Sequence, residues 1–177
     1  MAGRQGRFGL QLAILGTGLY LPPSRDVREC VAAHGGDLDR YVGWDNVCIA
    51  RDDDHPGNMA ARALGQAIEE AGIDPSDLSL VVFTGASRDY PPSWSVATEA
   101  MRLCGVSDAC VGLDVTAGCA ATLAGLELAQ GWLAVRGGGR AAVVVAERWS
   151  FTIDYSNQAN RGIWTHGDSA AAIIVES

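Results

Sequence analysis

The chain of 177 residues carries 21 acidic against 13 basic side chains, a net charge of −8, with 48% hydrophobic and 19% charged residues. Such a composition describes a globular chain and excludes a disordered one. It argues against nucleic acid as the main partner, because phosphate binding needs a surplus of cations on some face.

All 13 cations are arginine, which removes Schiff-base lysine chemistry and the lysine of a phosphate loop. No apolar run approaches the ~20 residues that span a bilayer. The basic stretch Met1 to Arg7 is followed by an apolar run only a strand long, so no secretory signal is read there. The expectation is a cytoplasmic protein without a membrane. The five cysteines, Cys30, Cys48, Cys104, Cys110 and Cys119, are odd in number and contain no C-x-x-C pair. That excludes a disulfide framework or zinc site as the leading reading, and no metal is expected. Most should be small, buried, reduced side chains.

Leu10 to Leu15 reads as a strand ending in a turn at Gly16-Thr17-Gly18. Asp26 to Val42 holds one or two short helices broken at Gly35-Gly36, and Val47 to Arg51 a short strand. Pro56 suits the first position of a helix capped by Asp54 or His55 and closed by Gly72. Met59, Ala63, Ala67, Ile68 and Ala71 form its apolar stripe. Asp52-Asp53-Asp54-His55 reads as a solvated capping loop in preference to a metal site.

Leu80 to Phe83 is a continuous apolar run, typical of a strand buried on both faces. Ser93 opens a second amphipathic helix with Val96, Ala97, Ala100, Met101 and Cys104 on one side. Strands at Val111–Val115, Ala141–Val145 and Ala170–Val175, with a helix from Ala120 to Val135, complete the alternation. Gly137-Gly138-Gly139 is a turn without the sequence of a phosphate loop, and Gly16-x-Gly18 lacks the third glycine of a dinucleotide motif. Trp44, Trp132, Trp149 and Trp164 read as core or interface residues. The order predicts an α/β layered fold with a mostly parallel sheet.

Thr116-Ala117-Gly118-Cys119 falls between a buried strand and a long helix. A thiol at the first turn of a helix meets unpaired N–H groups and the positive end of the dipole, which favour a thiolate. Ala117, Gly118, Ala120 and Ala121 leave room for a carbonyl to approach, and the N–H of Cys119 could form half of an oxyanion hole. The bland reading is a buried, inert cysteine.

Several motifs in order weigh against the bland reading. Ile14-Leu15-Gly16-Thr17-Gly18-x-Tyr20-Leu21-Pro22 resembles the opening strand of the ketosynthase III family, the β-ketoacyl-acyl-carrier-protein synthases III. Ala71-Gly72-Ile73-Asp74-Pro75 with Leu80-Val81-Val82-Phe83 resembles its first long helix and second strand. Asp89-Tyr90-Pro91-Pro92-Ser93 is similar to its next loop, with Trp94 just beyond. Asp114-Val115-Thr116-Ala117-Gly118-Cys119-Ala120 resembles the segment with the nucleophilic cysteine. Gly167-Asp168-Ser169-Ala170-Ala171-Ala172 is similar to a glycine-rich run near the middle of such proteins.

The resemblance implies a thiolase-like fold, with residues 1–177 as the N-terminal half of a five-layer α-β-α-β-α architecture. It implies an acyltransferase or β-ketoacyl synthase III-like subunit of polyketide or specialised fatty-acyl biosynthesis. Cys119 would take an acyl group as a thioester from acyl-carrier-protein phosphopantetheine or coenzyme A, with no permanently bound cofactor. The family's assisting His and Asn lie in the C-terminal half.

Asp37 to Ile49 lacks the family's tryptophan in register, which favours a carrier protein over coenzyme A. Arg161 resembles an arginine that contacts the nucleotide, or is a solvated surface residue. His166 stands in the acyl-pocket wall, where the family has Phe, or is a hydrogen-bonded structural histidine. Tyr90 and Trp94 are further substrate-binding candidates, the loop around Tyr90 reaching a neighbour's acyl pocket.

In the helix after Cys119, Leu123, Leu126, Leu128, Trp132, Leu133 and Val135 go all round the cylinder. A helix apolar on all sides must be covered on all sides. The expected partner is a C-terminal half on a separate chain, giving a split enzyme and a dimer of heterodimers. A reading of a different class is a non-catalytic subunit that stabilises a partner or shapes its pocket, with Cys119 a relic.

Overall fold

The computed structural model describes residues 12–87, 91, 93–154, 156–160 and 166–177. Its centre is a five-stranded sheet in the order β1 (Ala13–Tyr20), β7 (Ser169–Glu176), β6 (Arg140–Glu147), β4 (Leu78–Phe83), β5 (Val111–Asp114). β4 runs parallel to β5 and β6, whereas β7 runs antiparallel to both β6 and β1. The expected mostly parallel sheet is therefore a mixed one. The cause is local: between β6 and β7 the described residues hold single 3-10 turns and no α-helix, so the chain returns without the helical crossover usual for a parallel partner.

Alternate residues of β4 and β6 separate the two faces. Val81, Phe83, Ala142 and Val144 join α2 (Pro56–Ala71) and α3 (Val96–Leu103) in one core. Leu80, Val82, Ala141 and Val143 join α4 (Ala121–Arg136) in another. This period of two with both faces apolar is what the continuous runs in the sequence encode. A smaller cluster of Val27, Val31, Tyr41, Val47 and Ile153 ties α1 (Val27–Ala33) to β3 (Asn46–Cys48), which pairs with β2 (Ser24–Asp26).

Four local expectations need correction. Gly16-Thr17-Gly18 is not a turn but the middle of β1. A Cβ on Gly16 would stand 2.4 Å from the Ala67 carbonyl oxygen, and one on Gly18 would stand 1.9 Å from that of Ala63. The glycines let the backbone of α2 lie directly on the strand. Secondly, α3 starts at Val96, not Ser93, because the Ser95 hydroxyl accepts the Thr98 N–H. The third concerns α2, which begins at Pro56 with His55 at the N-cap but without a side-chain cap. Asp54 is instead fully buried, accepting from the Tyr20 hydroxyl at 3.0 Å and the Arg51 N–H at 3.0 Å, with Arg62 at 3.3 Å. The strand expected at Val47–Arg51 is Asn46–Cys48. No group of metal-ligating side chains occurs among the described residues. No helix among them is long and apolar enough to cross a membrane.

Candidate active site

β5 ends at Asp114, whose carboxylate accepts the N–H groups of Val96 and Ala97, both at 2.9 Å. One carboxylate thus satisfies two orphan donors of α3 and fixes that helix to the end of β5. The Val115 N–H continues the pairing with β4 by donating to the Phe83 carbonyl at 2.8 Å. The chain then turns through Gly118, whose φ of +53° suits glycine, into a single 3-10 turn, Gly118–Ala120. α4 follows at once. Its N-cap is Ala120, which offers no side-chain hydrogen bond, so the N-terminal amides stand beside Cys119 without a capping side chain.

Cys119 is the exposed cysteine of the five. Burial pushes the Cys104 and Cys110 thiols up to about 11 and raises Cys30 as well, which leaves these poor nucleophiles at neutral pH. Thr116 through Ala120 are all exposed, so the small side chains around the thiol form an open shelf and not a pocket. A cavity of about 270 Å³ lies elsewhere, lined by Leu21, Tyr41, Trp44, Cys48 and Asp168 among others, and Cys119 is not in its lining.

The other site candidates are dispersed. His166 is exposed and stands edge-on to Trp149, ring centroids 5.4 Å apart. Trp94 is 55% exposed and its N–H donates to the Pro91 carbonyl. Tyr90 and Arg161 lie outside the described residues.

Three supporting groups escaped the sequence reading. Glu147, at the end of β6, accepts from the Ala86 and Ser87 N–H groups and holds the loop after β4. Asp168, 1% exposed, accepts from the Ala50 N–H at 2.7 Å, the Ser150 N–H at 2.9 Å and the Ser150 hydroxyl. The Thr84 and Thr122 hydroxyls meet at 3.2 Å, between β4 and α4. Asp168 could have been suspected as an acidic residue opening an apolar strand. The others gave no signal, because their partners lie 38 to 61 positions away.

The sheet is thus covered by α2 and α3 on one face and by α4, entered through the turn that carries Cys119, on the other. The family model for 3-oxoacyl-[acyl-carrier-protein (ACP)] synthase III matches residues 113–177, which include Cys119. A β-ketoacyl-[acyl-carrier-protein] synthase III of Rhizorhabdus wittichii is 32% identical over 173 residues, covering 93% of this chain and 51% of that protein. The crystal structure of a priming β-ketosynthase from a polyketide biosynthetic pathway superposes with a TM-score of 0.81 at 25% identity, over 93% of this chain and 49% of that one. Cerulenin-bound OleA of Xanthomonas campestris gives 0.83 at 22% identity, over 99% and 60% respectively, a likeness of fold alone.

The chain is thus similar in sequence to the β-ketoacyl-[acyl-carrier-protein] synthases III, and its fold is thiolase-like. It spans about half the length of the curated relatives it matches.

Proposed function

We propose that the chain is the nucleophile-bearing half of a split ketosynthase III-like acyltransferase. The observation that carries this reading is Cys119, exposed on a shelf of small residues at an uncapped helix N-terminus. Its sulfur attacks the carbonyl carbon of an acyl thioester. The new C–S bond forms as the donor's C–S bond breaks, and the donor leaves as a thiol that takes up a proton. The Cys119 N–H would take up part of the negative charge that develops on the carbonyl oxygen. Donors of the acyl-carrier-protein class fit the family resemblance, and a coenzyme A thioester offers the same phosphopantetheine arm.

A second thiolase-like half, supplied by a separate chain, completes the site. The support is the outer face of α4, where Leu123, Leu128 and Val135 are 68%, 45% and 84% exposed. Covering each contributes on the order of 1–2 kcal/mol. That half would bring the acyl pocket, the general acid–base groups and the choice between condensation and acyl transfer to another nucleophile. Pairing of β5 edges would join two such heterodimers. Intact-mass spectrometry of the assembled protein after incubation with acyl-carrier protein or acyl-coenzyme A tests the reading. An acyl adduct that is lost in Cys119→Ala supports it, and the absence of an adduct across a range of donors favours a non-catalytic subunit.

A further inference from the structure

The turn that presents Cys119 is built of small residues. Ala117, Gly118, Ala120 and Ala121 carry almost no side chain, and the N-cap of α4 makes no side-chain hydrogen bond. Ala121 is buried against the sheet, but a methyl group fixes neither the height of the helix nor its rotation. A polar side-chain contact at this end is made by Thr122, in the first turn of α4. Its hydroxyl lies 3.2 Å from that of Thr84, which is 2% exposed and follows the last residue of β4. The Thr84 hydroxyl in turn lies 3.2 Å from the Val144 carbonyl oxygen in β6, and the same carbonyl accepts the Thr84 N–H at 2.8 Å.

The proton inventory gives the chain a direction. A carbonyl only accepts, so the Thr84 hydroxyl donates to Val144, and Thr122 donates to the Thr84 oxygen. The result is a strut from β6 through the end of β4 into the first turn of α4. Thr122 follows Cys119 by three positions, the spacing that places two residues one above the other on a 3-10 or α turn. Gly125, one turn further, brings the helix close at the same point, since a Cβ there would stand 2.8 Å from the Thr84 methyl. Gly125 thus lets the helix approach, and the hydroxyl pair sets where it stops.

We propose that Thr122, through Thr84, is a positioning residue for the Cys119 sulfur. It sets the height and rotation of the turn that aims the thiol at the acyl carbonyl. The inference rests on the reading of Cys119 as the acyl-carrying nucleophile. Removing the strut should affect the rate of acyl transfer more than donor binding, because a misplaced sulfur still allows the donor to dock.

The test uses the assembled protein and single-turnover acylation at saturating donor, with wild type, Thr122→Val, Thr122→Ala and Thr122→Ser. Valine keeps the shape and loses the hydroxyl, while the Thr84 hydroxyl keeps its bond to Val144. Acylation of Cys119 should slow at least about tenfold in the Val and Ala variants, since misplacement by ~1 Å can cost on the order of 100-fold. The donor concentration for half-saturation should stay within about twofold, and serine should restore most of the rate. Thr122→Val acylating as fast as wild type overturns the inference, as does a serine variant as slow as valine. A merely structural role would lower the melting temperature in step with all three substitutions and leave the rate unchanged. Wild type that takes no acyl group at Cys119 overturns the nucleophile reading itself and this inference with it, a result visible before any variant is compared.

Discussion

Glu70 of α2 accepts hydrogen bonds from both the backbone N–H and the hydroxyl of Thr17 in β1, the latter at 2.8 Å. One helical turn away, Gln66 accepts the Leu19 N–H at 3.1 Å. β1 is an edge strand, and these side chains occupy donors that could otherwise recruit another strand. The bonds from Thr17 hold the Glu70 carboxyl below its usual value of 4.5. A carboxylate with a depressed folded-state pKa stabilises the fold above its unfolded pKa and loses that contribution as pH falls through the folded one. Glu70→Ala should therefore lower the melting temperature at pH 7, with the difference from wild type closing as pH drops below 4.5. Thermal melts across that range check this, and a pH-independent difference would contradict it.

Gly18 is expected to be the least replaceable glycine, and Gly125 to be less replaceable than Gly65. At Gly18 the offending atom is a helix backbone oxygen 1.9 Å from the added Cβ, so α2 as a whole would have to retreat from β1. At Gly125 the contacts are the Thr84 and Val143 methyl groups at 2.8 and 3.1 Å. Gly125→Ala should cost about 1–3 kcal/mol, the usual range for overpacking, and Gly18→Ala more. Gly65→Ala, with nothing within 4 Å of the added Cβ, should be neutral or stabilising in mid-helix. Chemical denaturation of the three variants gives the ranking.

Gly16 and Gly18 also mark where the sequence points to a turn and the structure has a strand. Gly-x-Gly carries the same letters whether it bends a chain or admits a helix backbone, and only the position of α2 decides. Elements with local causes were legible. Leu80–Phe83 and Ala141–Val145 are apolar on both faces, and Pro56 and Gly72 bound α2 where the structure bounds it. The direction of β7 was not legible, since strand order depends on pairings far apart along the chain. At the site, Cys119 stood out through the ordered motifs that resemble the ketosynthase III family, since the strand-to-helix turn alone is equally compatible with a buried, inert cysteine. The anchors Glu147, Asp168 and Thr84 bind partners up to 118 positions away and leave no pattern in a window of sequence.

The core should fail on the alkaline side. Burial pushes the Tyr41 hydroxyl up to about 12 and the Cys104 and Cys110 thiols up to about 11. For an acid whose folded pKa lies above its unfolded value, the unfolded chain ionises first, so stability falls between the two values. With unfolded values of 9.0 for cysteine and 10.0 for tyrosine, the loss should run from about pH 9 to about pH 12, the thiols acting first. Urea midpoints at pH 8 and 10.5 measure it. Cys104→Ala/Cys110→Ala should flatten the part of the slope due to the thiols.

The outer face of α4 should govern association. Leu123, Leu128 and Val135 form an apolar surface that water covers in the chain alone. Light scattering on that chain should show self-association, and co-expression with the second half should give a discrete complex. Leu123→Glu with Leu128→Glu should raise the solubility of the chain alone and weaken the complex. A well-behaved monomer whose solubility these substitutions do not change would contradict the assignment of α4 to an interface.

The most direct measurement concerns the sulfur of Cys119 itself. The assembled protein is incubated with an acyl donor, pulsed with iodoacetamide near neutral pH and mapped peptide by peptide, with and without a later hydroxylamine step. The account predicts that Cys119 is the first cysteine alkylated when no donor is present. Donor should protect it, and hydroxylamine, which cleaves thioesters, should restore its reactivity while the other four cysteines stay unchanged. Cys119 alkylated at the same rate with and without donor, or no faster than Cys104 and Cys110, would contradict its role as the acyl carrier.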